Sequence, residues 1–227
     1  MAGPAGNRPP AAVRCLACGP ELADLVVPRA AAALRHLQLE DALSAVEICC
    51  DDLPAGDEGW LRLDRGGAAD RRPLLTLYCS PRVFCEQGRG TVESGPEIWE
   101  LRPAQRAETE PALQRFSPAE TNAYLHHQLA LAEDLLRGRL LPELIPAAAA
   151  EAFAAAWDVT LDGRLERRGL PGHDQAWRRG RFSRLFSGAG VLMPGHWQVF
   201  QSLWDGGIEG AAEVLAAVRQ LPRLTAR

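Results

Sequence analysis

Ser117-Pro118-Ala119-Glu120-Thr121-Asn122-Ala123-Tyr124-Leu125-His126-His127-Gln128-Leu129-Ala130-Leu131-Ala132-Glu133-Asp134-Leu135-Leu136-Arg137-Gly138 reads as one long helix with both ends written in. Ser117 is an N-cap, Pro118 fills the first helical position, and Glu120 completes a capping box. Gly138 supplies a C-cap after Arg137. Upstream of this helix the pattern is that of strands. Ala45-Val46-Glu47-Ile48-Cys49-Cys50 alternates, Trp60-Leu61-Arg62-Leu63 is a second run, Leu74-Leu75-Thr76-Leu77-Tyr78-Cys79 a third, and Ile98-Trp99-Glu100-Leu101 a short fourth. An Ala- and Leu-rich helix over about Glu21 to Leu39 precedes them, with Pro28 at a possible helix start. Downstream the chain turns helical: from Pro146 through Asp158 to Arg168, from Asp174 to Phe186, and from Pro194 to Leu221 with a break at Gly206-Gly207. Helix, then strands, then helices is an α+β order. The expectation is an N-terminal helix and a small, mostly antiparallel four-stranded sheet followed by a C-terminal group of helices. Residues 1–20 read as a loose tail before a single domain over 21–227.

Composition narrows the classes. The 227 residues are 47% hydrophobic and 24% charged, which suits one globular core. The formal net charge of −4 does not advertise nucleic acid or an acidic membrane surface. No apolar run approaches the roughly 18–20 residues of a membrane span. Six Cys are too few for a disulfide scaffold, and Met1 to Pro10 does not read as an export signal. Reduced thiols and a cytoplasmic location are therefore expected.

The chemistry-bearing residues cluster on the long helix. At one residue per 100°, Leu125, Leu129, Ala132 and Leu136 form one line, flanked by Tyr124, Leu131 and Leu135. His126, Ala130, Glu133 and Arg137 fall on the far side, expected to be wet. His127 and Asp134 stand one above the other, and Gln128 points into the apolar arc, where its amide needs a network or a polar cavity.

Strands followed by a helix carrying His127-Gln128-Leu129-Ala130-Leu131, then a second helix with acidic residues, resembles the zincin metallopeptidases. Their motif is His-Glu-x-x-His, two histidines binding zinc and a glutamate activating water. Here only His127 matches. Gln128 stands at the general-base position and Leu131 at the second ligand. The resemblance implies a third ligand from the next helix, where Glu151, Asp158 and Asp162 are the candidates. It also implies a zincin-like domain that has lost zinc and peptidase activity, since an amide has no basic site near neutral pH. No cofactor follows from this reading, and the role left to the chain is binding of a protein or ligand. One alternative is a metal-dependent hydrolase, with zinc as cofactor, using His127 with Asp158 or Asp162 and His196. Another is an anion or nucleic-acid binder using Arg164, Arg167, Arg168, Arg178, Arg179, Arg181 and Arg184. Interleaved Asp162, Glu166 and Asp174 speak against the latter, and the cluster reads as a solvated face. Cys15-x-x-Cys18 has the spacing of half a zinc ribbon or a redox pair, but no second pair accompanies it. Cys49, Cys50 and Cys79 lie in strand-like runs, where Cys packs as a small hydrophobe. Ser187-Gly188-Ala189-Gly190 is too short for a phosphate loop.

Overall fold

The computed structural model describes residues 9–51, 59–65, 72–86, 115–186 and 193–221. The strand expected at Ile98–Leu101 and the Ser187–Gly190 run lie outside these residues.

Among the described residues the sheet has four strands: β1 (Ala12–Leu16), β2 (Ala45–Cys50), β3 (Trp60–Asp64) and β4 (Leu74–Cys79). Their order is β1-β2-β4-β3. The β1·β2 and β2·β4 pairs are parallel and only β3·β4 is antiparallel. Two expectations are corrected by this. The sheet is mixed, not mostly antiparallel, and its first strand comes from the stretch read as a tail. Ala12–Leu16 sits on the sheet edge, with its side chains alternating between exposed and half-buried. Such a strand lacks the continuous apolar signal of β2 and β4.

Helix α1 (Pro20–His36) connects β1 to β2 as the crossover that a parallel pair requires. Pro28 lies inside it rather than at its start. Leu22, Val26, Ala30, Ala33 and Leu34 form its buried stripe. In β2 the burial alternates, with Val46, Ile48 and Cys50 inward. The sheet therefore has one helix-covered face.

Helix α2 (Pro118–Leu136) carries its expected N-cap serine and C-terminal glycine, but the return half of the capping box is replaced: the Ser117 amide donates to the Phe84 carbonyl at 2.8 Å. The Ser117 hydroxyl accepts from the Glu120 amide, and Gly138 follows with φ 67°. It packs against α1, against β3 and the 3-10 turn Pro81–Phe84, and against the next helix, α3 (Ala150–Arg167). A helix enclosed on several sides has no wet face. His126, His127, Ala130, Glu133 and Asp134 are all buried, which corrects the amphipathic reading.

The remaining helices are α4 (Gln175–Phe186), α5 (Pro194–Asp205) and α6 (Ala211–Gln220), close to their expected bounds. Helix α3 is their hub, touching α2, α4, α5 and α6. It meets α5 at Gly163, where an added Cβ would lie 2.8 Å from the Trp204 Cα. Two further links fasten this crossing. The Trp204 indole N–H donates to Glu166 at 2.6 Å, and Arg167 donates to the Trp204 carbonyl.

Gly163→Ala should therefore destabilise the fold by about 1–3 kcal/mol through overpacking, despite alanine's better helix propensity. A lower urea midpoint with an unchanged slope would show this; an equal or higher midpoint would contradict the close crossing.

Candidate functional site

Three helices converge below the surface between α2 and α4. From α2 comes His127, 2% exposed; from α3 come Asp158 and Asp162; from α4 comes Arg178, 1% exposed. His127 Nδ1 lies 3.1 Å from Asp162 Oδ1, and Nε2 lies 3.3 Å from Asp158 Oδ1. A carboxylate oxygen at each ring nitrogen calls for a proton on each, so His127 is an imidazolium. Arg178 Nε donates to Asp162 Oδ2, and Nη1 donates to Asp158 Oδ2 at 3.3 Å. Arg178 Nη2 lies 3.0 Å from His127 Nδ1 and 3.3 Å from Nε2. A donor aimed at one ring lone pair would stand much farther from the other nitrogen. This contact is thus guanidinium packed against imidazole, not a hydrogen bond. Two cations and two carboxylates form a neutral quartet, the form in which buried charge is tolerated.

The remaining capacity of Asp162 is filled from the loop before α4. The His173 backbone N–H donates to Asp162 Oδ1 at 3.2 Å. The His173 ring stacks on Trp177 with centroids 4.4 Å apart, and Arg178 lies over the same indole at 4.6 Å. His173 Nε2 is buried and has no hydrogen-bond partner among the described residues.

These surroundings drive the two histidines in opposite directions. Burial disfavours the charged form of His127, and Arg178 opposes it too. The Asp162 charge and the bonds to Asp158 and Asp162 outweigh both and raise its pKa to about 9. His173 loses charge by burial, with Arg178 and His127 adding repulsion, and its pKa falls to about 3. For both aspartates burial pushes upward, but the positive neighbours win and hold Asp158 and Asp162 below the usual carboxylate range.

His126, one residue before the site, is held neutral. Its Nδ1–H donates to the Asn122 carbonyl at 2.7 Å, which leaves Nε2 to accept from His36 Nδ1–H at 3.0 Å. Burial lowers its pKa. Adjacent histidines on one helix thus carry different charges because they face different elements.

Of the residues expected from sequence, His127, Asp158 and Asp162 come together. Asp134 does not join them, and it is not solvated. It pairs with Arg164 at 2.7 Å and Arg139 at 3.4 Å, beside Glu133, which gathers Arg137, Arg139 and Arg168. Burial raises the Asp134 pKa against these cations. His196 goes elsewhere as well. Its Nδ1 accepts from the Met193 amide at the start of α5, and its ring packs near Phe186. Gln128 is buried and Leu131 half-buried on α2. Glu151 is exposed at the start of α3, on the rim of a cleft of about 330 Å³ between α3 and α4. Ala154, Ala155 and Leu185 give that cleft apolar walls, while Asp158, Arg178, Arg181 and Arg184 give it charge.

The arginine cluster is not one solvated face. Arg178 is the largest of the fully buried side chains, Arg164 and Arg168 are spent on Asp134 and Glu133, and Arg167 pairs with Glu209 at 2.6 Å. His173 is the site residue that sequence reasoning missed, and Arg178 was read only as one member of a solvated arginine cluster. A signal for Arg178 was present: it shares a stripe with Phe182 and Phe186 at steps of four, and these three are the buried residues of α4. An arginine on a core stripe calls for a buried acid.

No protein-family model, curated protein or solved structure matches the chain.

The opposed shifts predict a stability maximum. His127 binds its proton more tightly folded than unfolded, so its contribution is whole below about 6.5 and is lost as pH rises through about 9. His173 is neutral when folded and protonates near 6.5 when unfolded, so stability also falls as pH drops from 6.5 towards 3. Lowered Asp158 and Asp162 add to the acid-side loss once the pH passes below the ordinary carboxylate range. Denaturation at graded pH should peak near 6.5, each limb approaching about 1.4 kcal/mol per pH unit where one of these groups dominates. NMR of the imidazoles should show one ring charged to about pH 9 and another neutral to about pH 3. Both rings titrating near 6.5 would refute the quartet. Arg178→Met, which strands Asp162, should cost about 3–5 kcal/mol.

Proposed function

We propose that this chain is a metallopeptidase-like domain without a competent zinc site, and that it works by binding rather than by hydrolysis. The observation that carries this reading is the position of Arg178. Its guanidinium reaches both carboxylates and the imidazole that the zincin resemblance marks as the metal-binding set. A zinc ligand must offer a lone pair. Both nitrogens of His127 face carboxylates as N–H donors, and both carboxylates already hold a cation. The donor set as arranged does not fit zinc. Among the described residues, no group of three or more His, Cys, Asp or Glu side chains is disposed to hold a metal ion. Gln128, at the position that the resemblance gives to the general base, cannot take a proton from water.

The binding surface in this reading is the cleft between α3 and α4. Its volume of about 330 Å³ is at the small end for ligand sites. Three arginines stand against Glu151 and Asp158 there, so an anionic group on a small apolar body is the chemistry it suits. No helix among the described residues is long and apolar enough to cross a membrane.

The decisive experiment is elemental analysis of untagged protein purified without chelators, beside His127→Ala. Metal well below one per chain in both is expected. About one metal per wild-type chain, lost in His127→Ala, would overturn the reading and support the hydrolase alternative. For the cleft, titration with small carboxylates and phosphates should perturb Trp177 fluorescence, with affinity falling as salt rises. Arg184→Ala should weaken it. A flat titration across these anions would exclude the cleft as an anion site.

A further inference from the structure

Five of the six cysteines meet at one edge of the sheet. Because β1, β2 and β4 are parallel, their C-terminal ends lie together, and these ends carry Cys15, Cys49, Cys50 and Cys79. Cys18 follows β1 by two residues and forms a disulfide with Cys50, Cα to Cα 5.5 Å. This corrects the expectation of reduced thiols throughout and of Cys50 as a plain core residue. Cys15, Cys49 and Cys79 remain free around the bond.

The register places each thiol. Cys79 is paired with Cys50 on the adjacent strand, and Cys15 is level with Ile48, two residues before Cys50. Laterally paired residues share a face, so Cys15, Cys50 and Cys79 share the helix-covered one. Strand spacing and rise put the Cys15 and Cys50 Cα atoms roughly 8 Å apart, beyond the reach of a disulfide. Cys15 and Cys18 are three residues apart, across a bend where Ala17 takes φ 58°. The two cysteines of the existing bond differ in exposure. Cys18 is half-buried beside exposed Ala17 and Gly19, whereas Cys50 is buried. Cys18 also sits just before the N-terminus of α1, whose dipole favours a thiolate there. A disulfide that served only as a staple would have no need of a half-buried thiol three residues from its more exposed cysteine.

We propose that Cys18–Cys50 is an exchangeable disulfide and that Cys15 is the thiol that resolves it, making this sheet edge a thiol–disulfide exchange site for thiol and disulfide substrates. A substrate thiolate attacks Cys18 Sγ. The new bond is the mixed disulfide at Cys18, the Cys18–Cys50 bond breaks, and Cys50 leaves as a thiolate that takes up a proton. Cys15, having given its proton to solvent, then attacks Cys18 Sγ and expels the substrate as thiolate, leaving Cys15–Cys18. The net change is an isomerisation of the protein disulfide, with no net oxidant or reductant consumed. With a dithiol substrate, its second thiolate attacks its own sulfur in the mixed disulfide. The substrate is then oxidised to a disulfide, and Cys18–Cys50 is reduced to two thiols. Cys79 is not the resolving group: it is fully buried, and burial pushes its thiol up to about 12.

The test uses the full chain, folded, in mixtures of reduced and oxidised glutathione, quenched with acid, alkylated and mapped by peptide mass spectrometry. Wild type should show both Cys18–Cys50 and Cys15–Cys18. Cys15→Ser should lose the second linkage and accumulate glutathione on Cys18, while Cys79→Ser should behave as wild type. Burial raises the Cys15 thiol, so the resolving step should accelerate about tenfold per pH unit below its pKa as the thiolate share grows. The proposal is overturned if Cys18–Cys50 is the sole linkage and resists glutathione until denaturant is added. It is equally overturned if Cys15→Ser exchanges as wild type does. Neither result bears on the Arg178 site, which lies on other elements.

Discussion

Asp162 is the constraint on which the helical half of the molecule depends. It is a fully buried carboxylate that accepts from His127 on α2, from Arg178 on α4 and from the His173 amide between α3 and α4. An ionised carboxylate survives such burial only when each lone pair is met. Once Asp162 is fixed on α3, the positions of the other two helices follow. The indole of Trp177 then stacks on both the guanidinium and the His173 ring, which helps keep the ion pairs in a low-dielectric setting.

This arrangement trades stability for definition. A well-packed apolar substitute at the same place would hold three helices together as well or better. The charged version is directional, so it specifies which helix faces which. It also lies at the floor of the α3–α4 cleft, where Asp158 and Arg178 are both part of the quartet and part of the lining. A ligand entering that cleft meets the same charges that hold the helices.

The two ends of the molecule follow different chemistries. The helical end is an ionic lock with paired cations and acids, repeated in a looser, more exposed form around Glu133 and Asp134. The sheet end gathers sulfur, because parallel strands bring their C-terminal ends to one edge and four cysteines happen to lie at those ends. Helix α2 lies between the two regions, against α1 and β3 on one side and α3 on the other. Its enclosure explains why its polar residues are paired: no side of it is left to water.

The sequence by itself determined most of the elements, β1 excepted. Ser117, Pro118 and Gly138 set the ends of α2 through local capping, and alternation set β2 and β4, because both signals act within a few residues. Through the zincin resemblance it also pointed to His127 with Asp158 and Asp162, alongside Glu151 and His196, which lie elsewhere. Only the tertiary structure decided what these residues do. The tail strand Ala12–Leu16 exists because β2 offers it an edge, a partner that its own residues do not announce. The sheet is mixed because α1 crosses over between β1 and β2, a matter of connection rather than of composition. His127 was read as the one match to a metal-binding motif, and it is charged and buried because α3 and α4 close over it. Arg178 was one of a run of arginines; its stripe with Phe182 and Phe186 marked it as inward, but its partners lie 16 to 51 residues away. Electrostatics between elements sets protonation and pairing, and that depends on distances which no local pattern encodes.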